Sequence, residues 1–300
     1  MNPPRLLLAA AALPALMALS AAPASAETLK VVASFTVLAD VVKEVGGDHV
    51  HVTSLVGPNG DPHEFEPSPA DAKNLKAADV AFVSGEGLEG WIDRLITASG
   101  YKGKPVTVSE GIATRTMEED GAEITDPHVW NSPVNVKIWV ANIEKALSSA
   151  DPADAAAFKT NAEKYTKTLD ELNTYAHAKF DGIADDRRKV LTSHDAFGYF
   201  GREYKISFLA PLGLSTESEA SAADVAKLIE QIKSEHVKAY FFENSNDPRL
   251  VKQVARATGA EPGGELYVES LSDAKGPAPT YEKMFRYNVD QLAAAMAKSS

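Results

Sequence analysis

The chain has 300 residues, 44% of them hydrophobic, and a formal net charge of −12. This length and composition suit a globular protein with one large or two medium domains, whereas the negative charge argues against a nucleic-acid partner, whose phosphates require a basic surface. No cysteine is present, so disulfides, thiolate metal ligands and a cysteine-linked lipid are excluded in this sequence.

Residues 1–26 have the three parts of a secretory signal peptide. Arg5 provides a positive charge, residues 6–19 form an apolar run, and Ala24-Ser25-Ala26 is typical of a signal peptidase cleavage site. A buried helix of the mature fold, the alternative, would not require this order of features. We therefore expect a mature protein that starts near Glu27, lies in the periplasm and is not lipid-anchored.

The first half of the remaining chain alternates β-rich runs with helical patterns. The predicted strands cover residues 29–35, 49–56, 79–83 and 105–108, and the predicted helices cover 37–45, a segment that begins after Ser68, 90–99 and 133–149. Ser68, Pro69 and Asp71 form an N-terminal capping pattern. Such a β-α-β-α order predicts a parallel sheet covered by helices.

Residues 114–126 interrupt this alternation. The segment is polar and contains Glu118-Glu119-Asp120. We expect a solvated, mobile surface loop whose carboxylates attract cations only weakly.

The longest helical pattern of the chain runs from Asp151 to about Ile183. Its apolar residues, such as Phe158, Leu169 and Phe180, keep helical spacing. A helix of this length spans about 45 Å, more than one sheet layer needs, so we predict a rigid connector between two lobes. A long surface helix of a single domain is the alternative.

The alternation resumes after this helix. Strands are predicted at residues 189–192, 206–209, 238–242 and 265–268, and helices at 196–204, 221–235, 248–258 and 280–297. The predicted fold class is therefore α/β, with two parallel-sheet lobes joined by one long helix. We place the N-terminal lobe at residues 27–150, the connector at 151–184 and the C-terminal lobe at 185–300.

Three of the seven histidines, His63, His128 and His194, lie in loops that follow a strand or precede a helix. Asp-Pro precedes two of them, and proline stiffens a loop that presents an imidazole. Loops at the carboxyl ends of parallel strands are common ligand sites, and three imidazoles with one carboxylate suit zinc. A single histidine is nevertheless more often a hydrogen-bonded or exposed residue than a ligand.

The segments around these histidines resemble the ligand motifs of the zinc/manganese (cluster A-I) solute-binding proteins of ABC importers. The matching segments are residues 57–69 (GPNGDPHEFEPSP), 126–133 (DPHVWNSP), 192–200 (TSHDAFGYF), 215–219 (STESE), 276–278 (GPA), 280–281 (TY) and 286–288 (RYN). The likeness follows essentially the whole mature chain in order.

This resemblance implies a metal ion in the cleft between two lobes, which is passed to an ABC permease in the inner membrane. His63 and His128 would come from the first lobe and His194 from the second. The fourth ligand of the family is usually Asp, and Glu269 occupies the matching position here. Because Glu is one methylene longer, it could bind directly, bind through water or leave three ligands; we predict that Glu269 binds.

The resemblance also bears on the choice of metal. Manganese-binding relatives often carry Glu where this chain has His194, and a third imidazole favours Zn²⁺ over Mn²⁺, which suits oxygen ligands better. We therefore predict a zinc receptor, with a manganese receptor as the alternative. Many zinc-specific relatives have a histidine-rich stretch in place of residues 114–126; this chain has none.

Two other functions are less well supported by the residues. A metallohydrolase needs an open metal position and a general base, but Pro67 stands where the second histidine of H-E-x-x-H would follow His63. No residue favours an adhesin. We expect a monomer without enzymatic activity, with Glu64 and Glu66 as candidate acceptors for an imidazole N–H. The remaining histidines expected outside the site are His49, His51, His177 and His236.

Overall fold

The computed structural model of the protein describes residues 28–119, 121–214, 216 and 221–298. The predicted signal peptide and most of the 215–219 motif therefore lie outside the described residues. The described part contains two four-stranded parallel sheets, a two-stranded antiparallel hairpin and helices on both sheets. This arrangement confirms the predicted α/β class.

The first sheet is built by the first half of the chain, with strand order β2-β1-β3-β4. Its strands are β1 (Leu29–Ala33), β2 (Val50–Ser54), β3 (Val80–Val83) and β4 (Val106–Thr107), and its helices are α1 (Thr36–Gly46), α2 (Pro69–Lys76), α3 (Ile92–Ser99) and α4 (Pro133–Ala150). The capping box predicted for α2 is present, because Ser68 Oγ accepts from Asp71 N–H while the Asp71 carboxylate accepts from Ser68 N–H.

The acidic segment predicted as a loop is instead an antiparallel hairpin, so that prediction is wrong. Its strands are β5 (Thr116–Glu119) and β6 (Ala122–Thr125), which pair from Thr116 with Thr125 to Glu119 with Ala122. Met117 is buried and fixes one face of the hairpin. Met117 and its cross-strand partner Ile124 are the large apolar residues of these two strands, so the charged segment leaves little alternation for a sequence pattern to detect.

The long helix α5 (Ala155–Phe180) lies within the segment predicted as the connector. Its 26 residues span about 39 Å. The buried face, from Phe158 to Phe180, packs on α1 and α4, and the same helix also contacts α9 of the second half. The division of the chain at residues 150 and 184 stays a prediction.

The second sheet is built by the last third of the chain, with strand order β10-β9-β7-β8. Its strands are β7 (Lys189–Leu191), β8 (Ser207–Leu209), β9 (Ala239–Glu243) and β10 (Glu261–Leu266), and its helices are α6 (Gly198–Tyr204), α7 (Ala222–Ser234), α8 (Arg249–Thr258) and α9 (Tyr281–Lys298). Strand β10 begins earlier than predicted because an edge strand tolerates Pro262, with a register irregularity between Pro262 and Gly264.

One continuous apolar core joins the two sheets. It includes Val31 and Phe82 of the first sheet, Leu172 of α5, and Val190 and Phe241 of the second sheet, all almost fully buried. A smaller cluster lies beneath α7 and α8. Among the described residues, no helix combines the length and apolar character needed to cross a membrane.

Candidate metal site

The structure brings together the four side chains predicted as ligands. The Nε2 atoms of His128 and His194 lie 3.2 and 3.1 Å from Oε1 of Glu269, and His63 Nε2 contacts the same oxygen. One donor atom from each side chain lies within 4.8 Å of every other. His128, His194 and Glu269 are fully buried, and the His63 side chain is 6% exposed.

His128 is held in place by Asp126, two residues earlier in the chain. Asp126 Oδ1 accepts from the backbone N–H of His128 at 3.0 Å and lies 2.8 Å from its Nδ1 atom. The Nδ1–H of a neutral imidazole would donate to this carboxylate, which leaves Nε2 as the free lone pair. The loop therefore fixes both the orientation of the ring and the tautomer that can bind a metal.

His194 is held in the same way by a residue far along the chain. Its Nδ1 atom contacts the carboxylate of Glu243, the last residue of β9, and Glu243 Oε1 also accepts from the backbone N–H groups of Ser193 and His194 at 3.0 and 3.2 Å. Asn246 Nδ2 lies 2.8 Å from Glu243 Oε2. The carboxyl ends of β7 and β9 thus set the position of this imidazole.

His63 occupies the loop that precedes α2. The Asp61 carboxylate accepts from His63 N–H at 2.8 Å and from Thr216 Oγ1–H at 2.6 Å, so it ties this loop to the second half of the chain. Trp91 Nε1–H donates to the carbonyl of Pro62 at 2.8 Å. The stiff Asp-Pro-His turn is therefore fixed on both sides of the imidazole.

Glu269 follows the second sheet in sequence but is anchored by the first half of the chain. Trp130 Nε1–H donates to the carbonyl of Val268 at 2.7 Å, and the N–H of Leu271 donates to Thr36 Oγ1 at 2.9 Å. The carboxylate thus lies in a segment bonded on either side to the first half. The position of Glu269 is shared between both halves, whereas His194 belongs to the second.

The site is electrostatically coupled. Burial would lower the pKa of His128, but the hydrogen bonds and charges of Asp126 and Glu269 outweigh burial and raise this pKa. Burial would also lower the pKa of His194, but Glu243 and Glu269 hold it well above its usual value. Burial would raise the pKa of Glu269, but the three imidazoles hold it well below its usual range. A metal ion must displace protons here, so its affinity should fall at low pH.

The donor geometry suits a small four-coordinate ion. At the usual Zn–N and Zn–O distances, a tetrahedral shell has ligand–ligand separations of about 3.3 Å. Three of the six donor–donor separations are close to this value: His63 to His128 and His128 to Glu269 at 3.2 Å, and His194 to Glu269 at 3.1 Å. The second oxygen of Glu269 lies 3.4 Å from Ser245 Oγ, which leaves Oε1 as the oxygen that faces the imidazoles.

The other four histidines lie outside this cluster. His49 precedes β2, is partly buried and lies 2.7 Å from Asp154 Oδ2, whereas His51 on β2 is exposed. His177 lies on α5 near Glu203, and His236 is exposed with a φ of 56°.

The residues that orient the imidazoles were only partly visible in the sequence. Asp126 and Glu243 bond to the rings of His128 and His194. Glu64 and Glu66 line a pocket together with Asp61 and Asn246, and their role as acceptors stays a prediction. Asp126 could have been found from the Asx-turn pattern of Asp-Pro-His, in which an Asp oxygen accepts from the backbone two residues on. For Glu243, the signal in the sequence was its position directly after the predicted strand 238–242.

Comparisons with known proteins match this architecture over nearly the whole chain. The family model described as "ZnuA: Zinc-uptake complex component A periplasmic" matches residues 31–295. The manganese-binding lipoprotein MntA of Bacillus subtilis (strain 168) is 34% identical over 286 residues, which cover 92% of each protein. The iron-binding protein YfeA of Yersinia pestis is 32% identical over 271 residues, which cover 90% of this chain and 86% of YfeA.

A similar structure has also been solved. The periplasmic zinc binding protein TroA from Treponema pallidum superposes with a TM-score of 0.84 at 31% sequence identity, over 90% of this chain and 99% of that chain. The similar proteins thus share the fold but are named for zinc, manganese and iron.

Proposed function

The chain belongs to the family of periplasmic metal-binding components of ABC importers that is represented by zinc-uptake component A, and we propose that this member binds Zn²⁺ and delivers it to a membrane permease. The observation that carries the proposal is the convergence of three imidazole nitrogens and one carboxylate oxygen within 4.8 Å. His63, His128, His194 and Glu269 are the proposed ligands.

The balance of donor atoms favours zinc. Zinc accepts imidazole and carboxylate ligands in a tetrahedron, whereas manganese prefers more oxygen donors and a larger shell. Three nitrogens and one facing carboxylate oxygen fit the first description. Four protein donors would also complete a tetrahedral shell, which supports a receptor over a hydrolase, whose zinc keeps an open position for water.

Manganese is the second candidate. Relatives that are 32–34% identical over most of the chain are named for manganese and iron, so the family fold accommodates several divalent ions. The two candidates make different predictions for His194, because an oxygen ligand in its place would make the shell more favourable for manganese.

Competitive titration of the mature protein with Zn²⁺ and Mn²⁺ tests the proposal. We expect tighter binding of zinc, at one ion per chain, and a loss of at least about tenfold in zinc affinity for His63→Ala, His194→Ala and Glu269→Ala. His51→Ala, an exposed histidine on β2, is the matched control and should bind as the unmodified protein does. Tighter binding of manganese, or ligand variants with unchanged zinc affinity, would contradict the proposal.

A selectivity exchange sharpens this test. His194→Glu should reduce the ratio of zinc to manganese affinity, because it replaces one nitrogen donor with an oxygen donor. The ratio is measured by titration of the same protein sample with each ion against one chelating indicator. An unchanged ratio would mean that His194 does not contribute to the choice of metal.

The attachment of the protein to the membrane is a separate proposal. MntA is named a lipoprotein, whereas this chain has no cysteine to carry a lipid. We therefore propose that the mature protein is free in the periplasm. Fractionation of cells should recover it in the periplasmic extract, and recovery in the membrane fraction would contradict this.

A further inference from the structure

We propose that Arg115 is a positioning residue of the metal site, which holds Asp126 in place, and through it His128, while it balances the charge of the loaded cluster. This inference rests on the proposed function, because it concerns the same four ligands. Arg115 does not contact the donor atoms itself; it lies just before the hairpin β5–β6.

The two carboxylate oxygens of Asp126 contact different residues. Oδ1 accepts from the backbone N–H of His128 at 3.0 Å and lies 2.8 Å from the Nδ1 atom of the same residue. Oδ2 receives the guanidinium of Arg115, with Nη1 at 2.5 Å. Asp126 is fully buried and the Arg115 side chain is 29% exposed, so this ion pair joins the buried carboxylate to a side chain that reaches the protein surface.

Residues from the other half of the chain fix the position of Arg115. Gly198, the first residue of α6, lies so close that a Cβ atom there would stand 1.4 Å from Nη1 and 2.6 Å from Asp126 Oδ2. Tyr199 accepts from the Arg115 N–H at 3.2 Å and donates to the Asp126 carbonyl at 2.9 Å. The guanidinium thus lies between residues of the two halves of the chain, and a Cβ atom at position 198 would collide with it.

Arg115 also contributes to the charge balance around the imidazoles. Asp126, Glu243 and Glu269 are the fully buried carboxyl groups in contact with the imidazoles, with a formal charge of −3. A divalent ion and the guanidinium of Arg115 together supply +3. Glu243, which contacts His194, accepts from neutral donors of Asn246 and the backbone. The guanidinium of Arg115 therefore lies on the side of the site that holds His128.

Removal of Arg115 would therefore affect metal binding from a distance. A buried carboxylate that loses its guanidinium partner is strongly disfavoured, so Asp126 would rotate or recruit water. Either change loosens His128, and loss of such outer partners typically lowers metal affinity about 10- to 100-fold.

Four variants of the mature protein test this inference. Arg115→Met removes the charge, Arg115→Lys keeps it, and Gly198→Ala displaces the guanidinium without altering its charge. Arg202→Met is the matched control, because Arg202 lies over the Tyr199 ring, 5.2 Å from its centroid, and not on Asp126. Zinc affinity, the visible absorption bands of the Co²⁺-loaded protein and the Tm of the metal-free protein are measured for each.

We expect Arg115→Met and Gly198→Ala to lower zinc affinity about 10- to 100-fold and to shift the Co²⁺ bands, with partial rescue in Arg115→Lys and no change in Arg202→Met. Unchanged affinity and bands in folded Arg115→Met would overturn the inference, as would a loss of Tm alone. If Arg115→Met does not fold, Gly198→Ala decides. If the unmodified protein binds none of these ions, the proposed function itself fails.

Discussion

The side chain of Asp40 shows how a single buried carboxyl group affects stability away from the metal site. Asp40 lies on α1, and its carboxylate accepts from the N–H of Tyr281, the first residue of α9, at 2.7 Å. Burial raises the pKa of Asp40 to about 6, against the lowering effect of the Tyr281 hydrogen bond, and the charge of Glu44 raises it further. The folded protein thus binds this proton more tightly than the unfolded chain does.

This proton makes the free energy of unfolding depend on pH. The contribution of protonated Asp40 is complete below the unfolded pKa of 3.8 and is lost as the pH rises through about 6. A shift of about two units corresponds to at most about 3 kcal/mol. We therefore expect Asp40→Asn to raise the free energy of unfolding at pH 8 by about 1–3 kcal/mol, with a gain that narrows towards pH 4.

Urea denaturation of the metal-free protein, with a chelator present, measures this gain across that pH range. Asp48→Asn is the control, because Asp48 is exposed just after the same helix, does not shift the pKa of Asp40 and should change stability little. A gain from Asp40→Asn that is the same at every pH would show that the carboxyl charge is not its cause.

The proposed ligands and the residues that orient them differ in how well the sequence predicts them. His63 and His128 stand out in the sequence because each ends an Asp-Pro-His turn, in which the Asp accepts from the backbone N–H of the histidine and, at His128, also contacts the imidazole Nδ1. Glu243 supports His194 from 49 positions away, and only the pairing of β7 with β9 brings them together. The role of Arg115 is hidden for a similar reason, since Gly198 and Tyr199, which fix its position, belong to the other half of the chain.

At the scale of elements, regular alternation is what makes the two sheets predictable. Most of the parallel strands are short apolar runs, and every one except β4 is followed by a helix. The hairpin β5–β6 escapes because most of its residues are polar, although Asp120-Gly121 is a dipeptide typical of two-residue hairpin turns, and Gly121 has a φ of 76°. Strand β10 is extended by pairing with β9, which overrides the weak strand propensity of its Pro and Gly residues.

The hairpin also contacts the second half of the chain. Glu119, at the end of β5, accepts from the N–H of Leu214 at 2.6 Å, and Leu212, two residues earlier, forms a β-bridge with His194. A hydrogen bond to a charged acceptor contributes about 1.5–3 kcal/mol. We expect Glu119→Ala to increase hydrogen exchange at the Leu214 amide by about tenfold or more.

Hydrogen exchange followed by mass spectrometry measures this effect on the segment around Leu214. Glu118→Ala is the matched control, since Glu118 is an exposed neighbour on the same strand. Equal exchange in the two variants would mean that the hairpin does not hold the loop that pairs with His194.

At the scale of the whole molecule, the shared core restricts how the two sheets can move. The same apolar cluster contains residues of both sheets and of α5, and α9 bonds to Asp40 of α1 and, through Tyr281 Oη, to the carbonyl of Trp130 at 2.8 Å. A hinge that opened the cleft widely would have to expose this core, at about 25 cal/mol for each Å² of apolar surface. A small sliding movement of packed helices exposes much less.

We therefore expect metal binding to leave the overall dimensions nearly unchanged. Small-angle scattering of residues 27–300 should give a radius of gyration near the value of about 19 Å for a compact chain of this length, both with a chelator and with one equivalent of Zn²⁺. His194→Ala, measured with and without zinc, provides the reference for a site with one ligand removed. A contraction of several ångströms on zinc binding, absent from His194→Ala, would show that the halves close by a hinge and that the shared core opens in the metal-free state.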